Sequence, residues 1–581
     1  MVKILHNHLG YELDGPKRAV LLGERSDRPM SFLVKRQTDG LTVFEGVPVD
    51  IGPVSRWRDW YFWTLRFDEV NAPGLYEIEC TAGDAVVHSI SFRVEKNLLE
   101  RYTLSNVVYY FKAQRNSGRY EAVDRSLPFS PPHDGSRDVR GGWYDATGDY
   151  GKHLSHLCYS TYFNPQQTPL VVWSLLKAHE QLSARKDPNF NEYRRRLLDE
   201  ALFGADHLVR LKDAAGSFYI SIERHGPEKK PEDCRIAKRM LSYSLAKKEG
   251  ERVEYRTFDS GDIQAYEAGF RSGAGVSIAA LARAAAQGVA GEFSPAEYLK
   301  AAEDAFGFLE QHNLSFTNDG TENIVDDYCA LLAAVELHLA TQNEKYLKSA
   351  DARASVLMDR LMPDGAWRAD DGDRPFFHPS DAGLPVVSLL AYYEIAAGSQ
   401  RSRIREVVHR SLEFELALTA AVPNPFGYAR QLVRDGGGRR RAAFFFPHDS
   451  EAAPWWQGEN ARLGSLAAAA RLAARVLSGD DAFCRRLQVY GWDQLNWILG
   501  LNPFDACMLH GTGRNNPEYK FFEYYSYANC PGGICNGITG GFKDEEDIDF
   551  QLMVPGEDND WRWGEQWLPH AAWFLLAAAL G

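Results

Sequence analysis

Two hydrophobic periods divide this chain near residue 97. Before that point apolar residues fall in short alternating or continuous runs, at 19–22, 31–34, 61–65, 75–79 and 89–94. Asp-Gly, Ala-Pro-Gly and Ala-Gly-Asp turns separate them. Strand side chains point to opposite faces in turn, so such runs between regular turn signals predict an immunoglobulin-like β-sandwich over 1–97. Beyond it the spacing becomes helical. Segments 104–113, 169–182, 273–290, 322–340, 384–397, 460–477 and 566–580 are rich in Ala and Leu, both strong helix formers. Several are apolar on most faces, as helices buried among other helices must be. The pattern predicts a multidomain protein, with an all-α catalytic or binding domain over 98–581.

Long polar and aromatic stretches separate these helices, at 140–165, 364–379, 423–454 and 502–562. Connections of this length are usually functional, and loops gathered at one end of a helical barrel form a groove. The most informative is 141–150, Gly-Gly-Trp-Tyr-Asp-Ala-Thr-Gly-Asp-Tyr. Asp145 and Asp149 stand four residues apart beside Tyr144, and Lys152, His153 and His156 follow. Cleaving a glycosidic bond needs carboxylates to activate water, a protonated carboxyl to release the leaving oxygen, and aromatic faces to hold the sugar. An ordinary surface turn has the same composition.

The proton donor must come from another loop, and Glu451, Glu459 and Glu565 are candidates. Glu565 lies in Trp-Arg-Trp-Gly-Glu-Gln-Trp at the start of the last predicted helix. Dense tryptophan around a carboxyl raises its pKa, as a general acid requires. The helix dipole alone also favours Glu in a first turn. Trp455, Trp456, His378, Arg430 and Arg514 occupy other loops that mix aromatic and polar residues, and are candidate sugar contacts. The alternative for such aromatics is core packing.

Composition narrows the picture further. A chain of 581 residues exceeds a single core, and 45% hydrophobic with 25% charged residues is ordinary for a globular protein. A net charge of −14 speaks against nucleic acid or an anionic membrane as partner. The longest apolar run, 571–580, is half of the ~20 residues a membrane span needs. Residues 1–8 lack the apolar core of a signal peptide, so the expected location is cytoplasmic. Eight scattered cysteines fit a reducing compartment, and Cys530 with Cys535 lacks the second pair of a zinc site. His448, Asp449 and Glu451 form only a weak metal set, and no acidic loop demands calcium, so no metal or cofactor is expected. Gly511-Thr512-Gly513 lacks the strand-to-helix setting of a nucleotide fingerprint, and Ser155 lacks a nucleophile elbow.

In three places the chain resembles glycoside hydrolase family 9, which includes many cellulases. Residues 141–149 resemble its Asp-Ala-Gly-Asp signature, and Leu499-Gly500-Leu501-Asn502-Pro503 resembles its Leu-Gly-x-Asn-Pro motif. The helix start at Glu565 resembles the position of its acid. The resemblance implies an immunoglobulin-like module joined to an (α/α)6 barrel and hydrolysis with inversion. Asp149 then corresponds to the general base, Asp145 to the aspartate that helps hold the water, and Glu565 to the general acid. Two departures stand out. Ala146, Thr147 and Gly148 intervene where the signature has two residues, and Gly564 replaces the Asn usual before the Glu.

With segments 162–169, 455–460 and 532–541, these departures resemble one branch, the exo-β-D-glucosaminidases of marine chitin-using bacteria. That branch implies release of glucosamine from the non-reducing end of chitosan oligosaccharides. A glucosamine ammonium calls for a free carboxylate, and Asp544, Glu545, Glu546, Asp547 and Asp549 are candidates. The 502–562 loop is the candidate wall that closes the cleft. The alternatives are a cellulase-type enzyme on β-1,4-glucans (endoglucanase, cellobiosidase or β-glucosidase) and a non-catalytic carbohydrate-binding protein. The expected partner is an oligosaccharide.

Overall fold

A computed structural model describes residues 2–83, 85–156, 160–224, 229–244, 254–257, 260–450, 456–521, 526–550 and 560–581. The first 95 residues form two packed sheets. One has the order β1 (Lys3–Leu5), β3 (Arg18–Gly23), β7 (Tyr61–Arg66), β6 (Val49–Gly52). The other runs β2 (Gly10–Glu12), β10 (Phe92–Glu95), β8 (Gly74–Ala82), β4 (Pro29–Arg36), β5 (Thr42–Gly46), with β9 (Ala85–His88) also on β8. The run at 89–94 is not one strand. The Ser89 hydroxyl accepts the Ile78 N–H at 2.8 Å, and this interrupts the edge between β9 and β10.

Strand β3 is buried at every position, which explains its unbroken apolar run. Ala19 and Leu21 point into the sandwich core with Ile4, Phe32, Val34, Trp63 and Leu65. Val20 and Leu22 point the other way and, with Leu5, Phe62 and Trp57, join the core of the helical domain. Trp57 stacks on Phe445 and packs against Phe426 and Trp497. The back of the first sheet is therefore the seam between the domains.

The chain leaves β10 at Glu95 and enters α1 (Leu98–Ala113). Among the described residues, twelve helices have twelve residues or more. After α1 they are α2 (Thr168–Ala184), α3 (Asn191–Leu211), α4 (Gly275–Ala286), α5 (Pro295–His312) and α6 (Ile324–Thr341). Then come α7 (Glu344–Asp359), α8 (Leu384–Ile395), α9 (Gly398–Ala420), α10 (Asn460–Val476), α11 (Asp481–Ile498) and α12 (Leu568–Ala579). The even-numbered helices touch in sequence, α2 to α4 to α6 to α8 to α10 to α12 and back to α2. The odd-numbered ones pack outside them.

Sequence explains this sorting. Helix α12 is buried along its whole length, and α4 and α6 along most of theirs, with small Ala residues allowing close approach. Helix α3 instead buries Leu197, Ala201, Ala205 and Leu208 and leaves an arginine-rich face outside. No described helix is long and apolar enough to cross a membrane.

Inner and outer helices alternate, so the inner ones run parallel and their N-terminal ends share one end of the domain. The long loops all enter inner helices at those ends. An aromatic cluster of Phe163, Phe377, Phe446, Trp456, Trp563 and Trp567 joins them there, with Ala146 among them.

Candidate active site

The loop at 141–151 is held from both sides. Gly141 and Gly142 adopt φ of 85° and 75°, and a Cβ on Gly142 would fall 2.4 Å from the His207 ring. Trp143 is buried, and its indole N–H donates to Glu200 at 2.8 Å. The Tyr144 N–H donates to the Gln114 carbonyl, and its hydroxyl to Asn116 at 2.9 Å. The buried Lys152 ammonium donates to Asp124 and to the Val139 and Gly141 carbonyls, satisfying all three of its protons.

This loop meets the last helix start directly. The Leu568 N–H donates to the Asp145 carbonyl at 2.9 Å, and the Thr147 N–H to the Gln566 carbonyl at 3.0 Å. Residues more than 400 positions apart are thereby zipped together by backbone bonds. Asp149 accepts the N–H of Tyr150 at 2.6 Å, which fixes the carboxylate at the loop's tip. Glu565 follows the short helix Trp561–Gly564, and its carbonyl accepts the Asn536 N–H at 2.8 Å.

Electrostatics act strongly on Glu565 and Asp145. Burial, and then the negative charges of Asp145 and Asp149, raise the Glu565 pKa well above the carboxyl range. Both effects favour the protonated form of Glu565. The Asn536 side chain opposes this by hydrogen bonding to the carboxyl. Asn536 is oriented by His570, whose Nε2 lies 2.6 Å from its Oδ1, and by its own donation to the Trp561 carbonyl. Burial drives the His570 pKa to about 3, so this ring is neutral. Asp145 is pushed up to about 6 by burial and then by Asp149, an effect opposed by His156. A carboxyl of raised pKa close to two other acids is a set of groups that displacement of a glycosidic oxygen by water could use.

The glycosyl hydrolase family 9 profile matches residues 101–532, and a cellulase N-terminal ig-like domain profile matches residues 2–84. The chain belongs to glycosyl hydrolase family 9. Solved structures similar to this family 9 chain include a Bacteroides ovatus GH9 protein, at TM-score 0.65 and 19% identity over 99% of this chain and 98% of that one. A metagenome-derived family 9 endoglucanase aligns at TM-score 0.63 and 18% identity, over 100% and 98%. A thermostable endoglucanase mutant from Alicyclobacillus acidocaldarius aligns at 0.61 and 16%, over 100% and 99%. At these identities the likeness shows the fold. No curated protein matches the chain.

Other residues singled out from the sequence fall elsewhere in this family 9 enzyme. Trp456 has no exposed surface, and His448 covers one face of its ring at 3.9 Å, so it packs rather than offering a platform. Its backbone carbonyl also takes the Arg562 guanidinium. Tyr144 is buried and its hydroxyl is spent on Asn116, so it braces the loop. His378 is fully buried, and its Nδ1 accepts the N–H groups of Ser380 and Asp381 ahead of α8. Arg430 donates to the Leu418 carbonyl and lies over Phe444, on the side facing the sandwich. Arg514 pairs with Asp505 and meets His6, tying the barrel end of the chain to the first strands. Local aromatic and polar composition does not distinguish a groove from a seam, which is why these five were candidates.

Glu459 is likewise structural: buried, it is bound by Arg462, Gln431 and the Phe446 N–H. Trp455 and Glu451 lie outside the described residues. Of the acidic run proposed to hold an ammonium, Asp544 pairs with Arg56, Glu545 and Glu546 with Arg441, and Asp549 with Arg58. These four carboxylates are already compensated, and Asp547 accepts the Ile548 N–H. Asn536, His570 and Tyr519 were missed. Tyr519 is buried beneath Gly564, close enough for Glu565 and Asp149 to raise its pKa further after burial. Only its place in the fold marks it, since nothing in its local sequence does.

Proposed function

We propose that this protein hydrolyses β-1,4-glycosidic bonds with inversion in the groove of an (α/α)6 barrel. Asp149 acts as general base, Asp145 holds the attacking water and Glu565 protonates the leaving oxygen. The closed ring of inner helices, with the outer helices packed against it, supports the barrel reading. The observation that carries the mechanism is the backbone pairing that sets the Asp145–Asp149 loop against the chain at Glu565, where burial and both aspartates raise the Glu565 pKa. Inversion requires a base-to-acid carboxyl separation of about 6.5–9.5 Å, leaving room for a water.

Two substrate classes are candidates. The full-length likeness to solved structures described as endoglucanases supports a β-1,4-glucan. A glucosamine reading rests on the motif departures alone. One experiment decides between them. NMR product analysis on cellotriose and on glucosamine dimer and trimer reports the sugar, the end attacked and the anomer first formed. An α-anomer from either series supports inversion. A β-anomer refutes it, and no product from either series refutes the enzyme reading.

A further inference from the structure

We propose that Asp145, His153 and His156 form a binding site for a divalent transition metal of the zinc type. The three side chains converge. His156 Nδ1 lies 3.3 Å from Asp145 Oδ2, and His153 Nε2 lies 3.7 Å from the same oxygen. One ligand atom from each falls within 4.8 Å of the other two. Among the described residues this is the one such group of three. A tetrahedral ion about 2.0–2.1 Å from its ligands separates them by about 3.3–3.4 Å. The Asp145 to His156 spacing already meets that value, and the Asp145 to His153 spacing of 3.7 Å is close to it.

The frame is rigid where it has to be. His153 sits in a short strand (Lys152–His153), backbone-paired with Ser221, and its ring occupies the space left by the bare Gly151. Asp145 is pinned by Gly151 and Leu568 through its own backbone. Asp145 and His153 are buried, whereas the His156 side chain keeps 26% exposure and leaves an entry path. The second Asp145 oxygen, Oδ1, is buried and accepts no hydrogen bond. Two imidazoles and one carboxylate suit zinc-type ions, while calcium or magnesium take all-oxygen sets. The Asp149 carboxylate nearby adds negative potential that attracts a cation.

A bound ion takes the carboxylate that the proposed mechanism assigns to the water. The metal-loaded form is therefore inhibited, a consequence that rests on that functional reading, whereas the binding claim does not. The test is calorimetric titration of Zn2+ into the chelator-stripped full chain. One ion per chain is expected, bound at least ten-fold more weakly by His153→Ala and by His156→Ala. His409→Ala, which alters an exposed histidine beside Asp480, should bind as the parent does. Stoichiometry of zero, or unchanged binding in the His153→Ala/His156→Ala pair, overturns the site.

Two measurements need no variant. Co2+ should give the visible absorption of a tetrahedral centre. Zn2+ soaked into crystals should give an anomalous peak between the three donors, and a peak only elsewhere overturns the proposal. Activity is read separately. Loss of turnover on Zn2+ addition supports the inhibitory consequence, and full turnover with the anomalous peak in place overturns that consequence alone.

Discussion

Glu565→Gln is the sharpest test of the proposed chemistry. The substitution keeps the side-chain volume and its hydrogen bond with Asn536, but removes the proton that burial and two neighbouring carboxylates hold on the acid. A positioned general acid contributes about 10²–10⁴-fold, or about 2.7–5.4 kcal/mol at 1.36 kcal/mol per decade. The burden is greatest for a sugar alkoxide, which leaves poorly without a proton. It falls for 2,4-dinitrophenolate, which leaves unaided. Turnover of the natural disaccharide should therefore drop at least a hundred-fold, while the dinitrophenyl glycoside of the same sugar loses less than ten-fold.

Stability gives an independent readout of the same residue. A carboxyl whose folded pKa lies above its unfolded value contributes stability below the ordinary carboxyl range, and this is lost as pH rises through the raised value. Gln does not titrate. The melting temperature of Glu565→Gln relative to the parent should thus climb between pH 5 and the alkaline side. Equal losses on both substrates, or a relative melting temperature that falls with pH, would refute the reasoning.

Four further outcomes are expected. The pH–rate profile should be bell-shaped, falling on the acid side near pH 6 as Asp145 takes up a proton and on the alkaline side as Glu565 loses one; its limbs belong to the coupled trio. Asn536→Ala removes the bond that favours ionised Glu565, so the alkaline limb should move to higher pH in kcat profiles. Gly142→Ala places a methyl 2.4 Å from the His207 ring at φ 75°, and denaturant unfolding should show a loss of about 1–3 kcal/mol or more. Trp57→Ala empties the seam against Phe426, Phe445 and Trp497, costing about 3–5 kcal/mol in the same assay and lowering cooperativity between the two domains.

Legibility along the chain followed burial. The segments read as helices were α1 and the six inner helices, whose apolar character survives any rotation. The outer helices α3, α5, α7, α9 and α11 went unnamed because half of each faces water and carries charge, as at Arg194, Arg195 and Arg196 in α3. Continuous burial of β3 also looked like a strand with no preferred face, when its two faces in fact serve two different cores. At the site the reading named Asp145, Asp149 and Glu565 from motif chemistry. It did not find Asn536, His570 or Tyr519, whose types are common and whose approach to the acids arises only on folding.

By itself, the order of residues determined the change of period near residue 97, the buried helices and the three acids set among glycines and tryptophans. Those features are local: they depend on spacing, on backbone freedom and on the polarity of nearby side chains. Tertiary structure decided which carboxyls share a site and which are compensated. It turned Trp456, His378, Arg430 and Arg514 into packing and seam residues, and set His153 and His156 around the Asp145 carboxylate. Charge repulsion and loss of solvent act through space, so a proton held on Glu565 by residues some 400 positions away is written only in the folded chain.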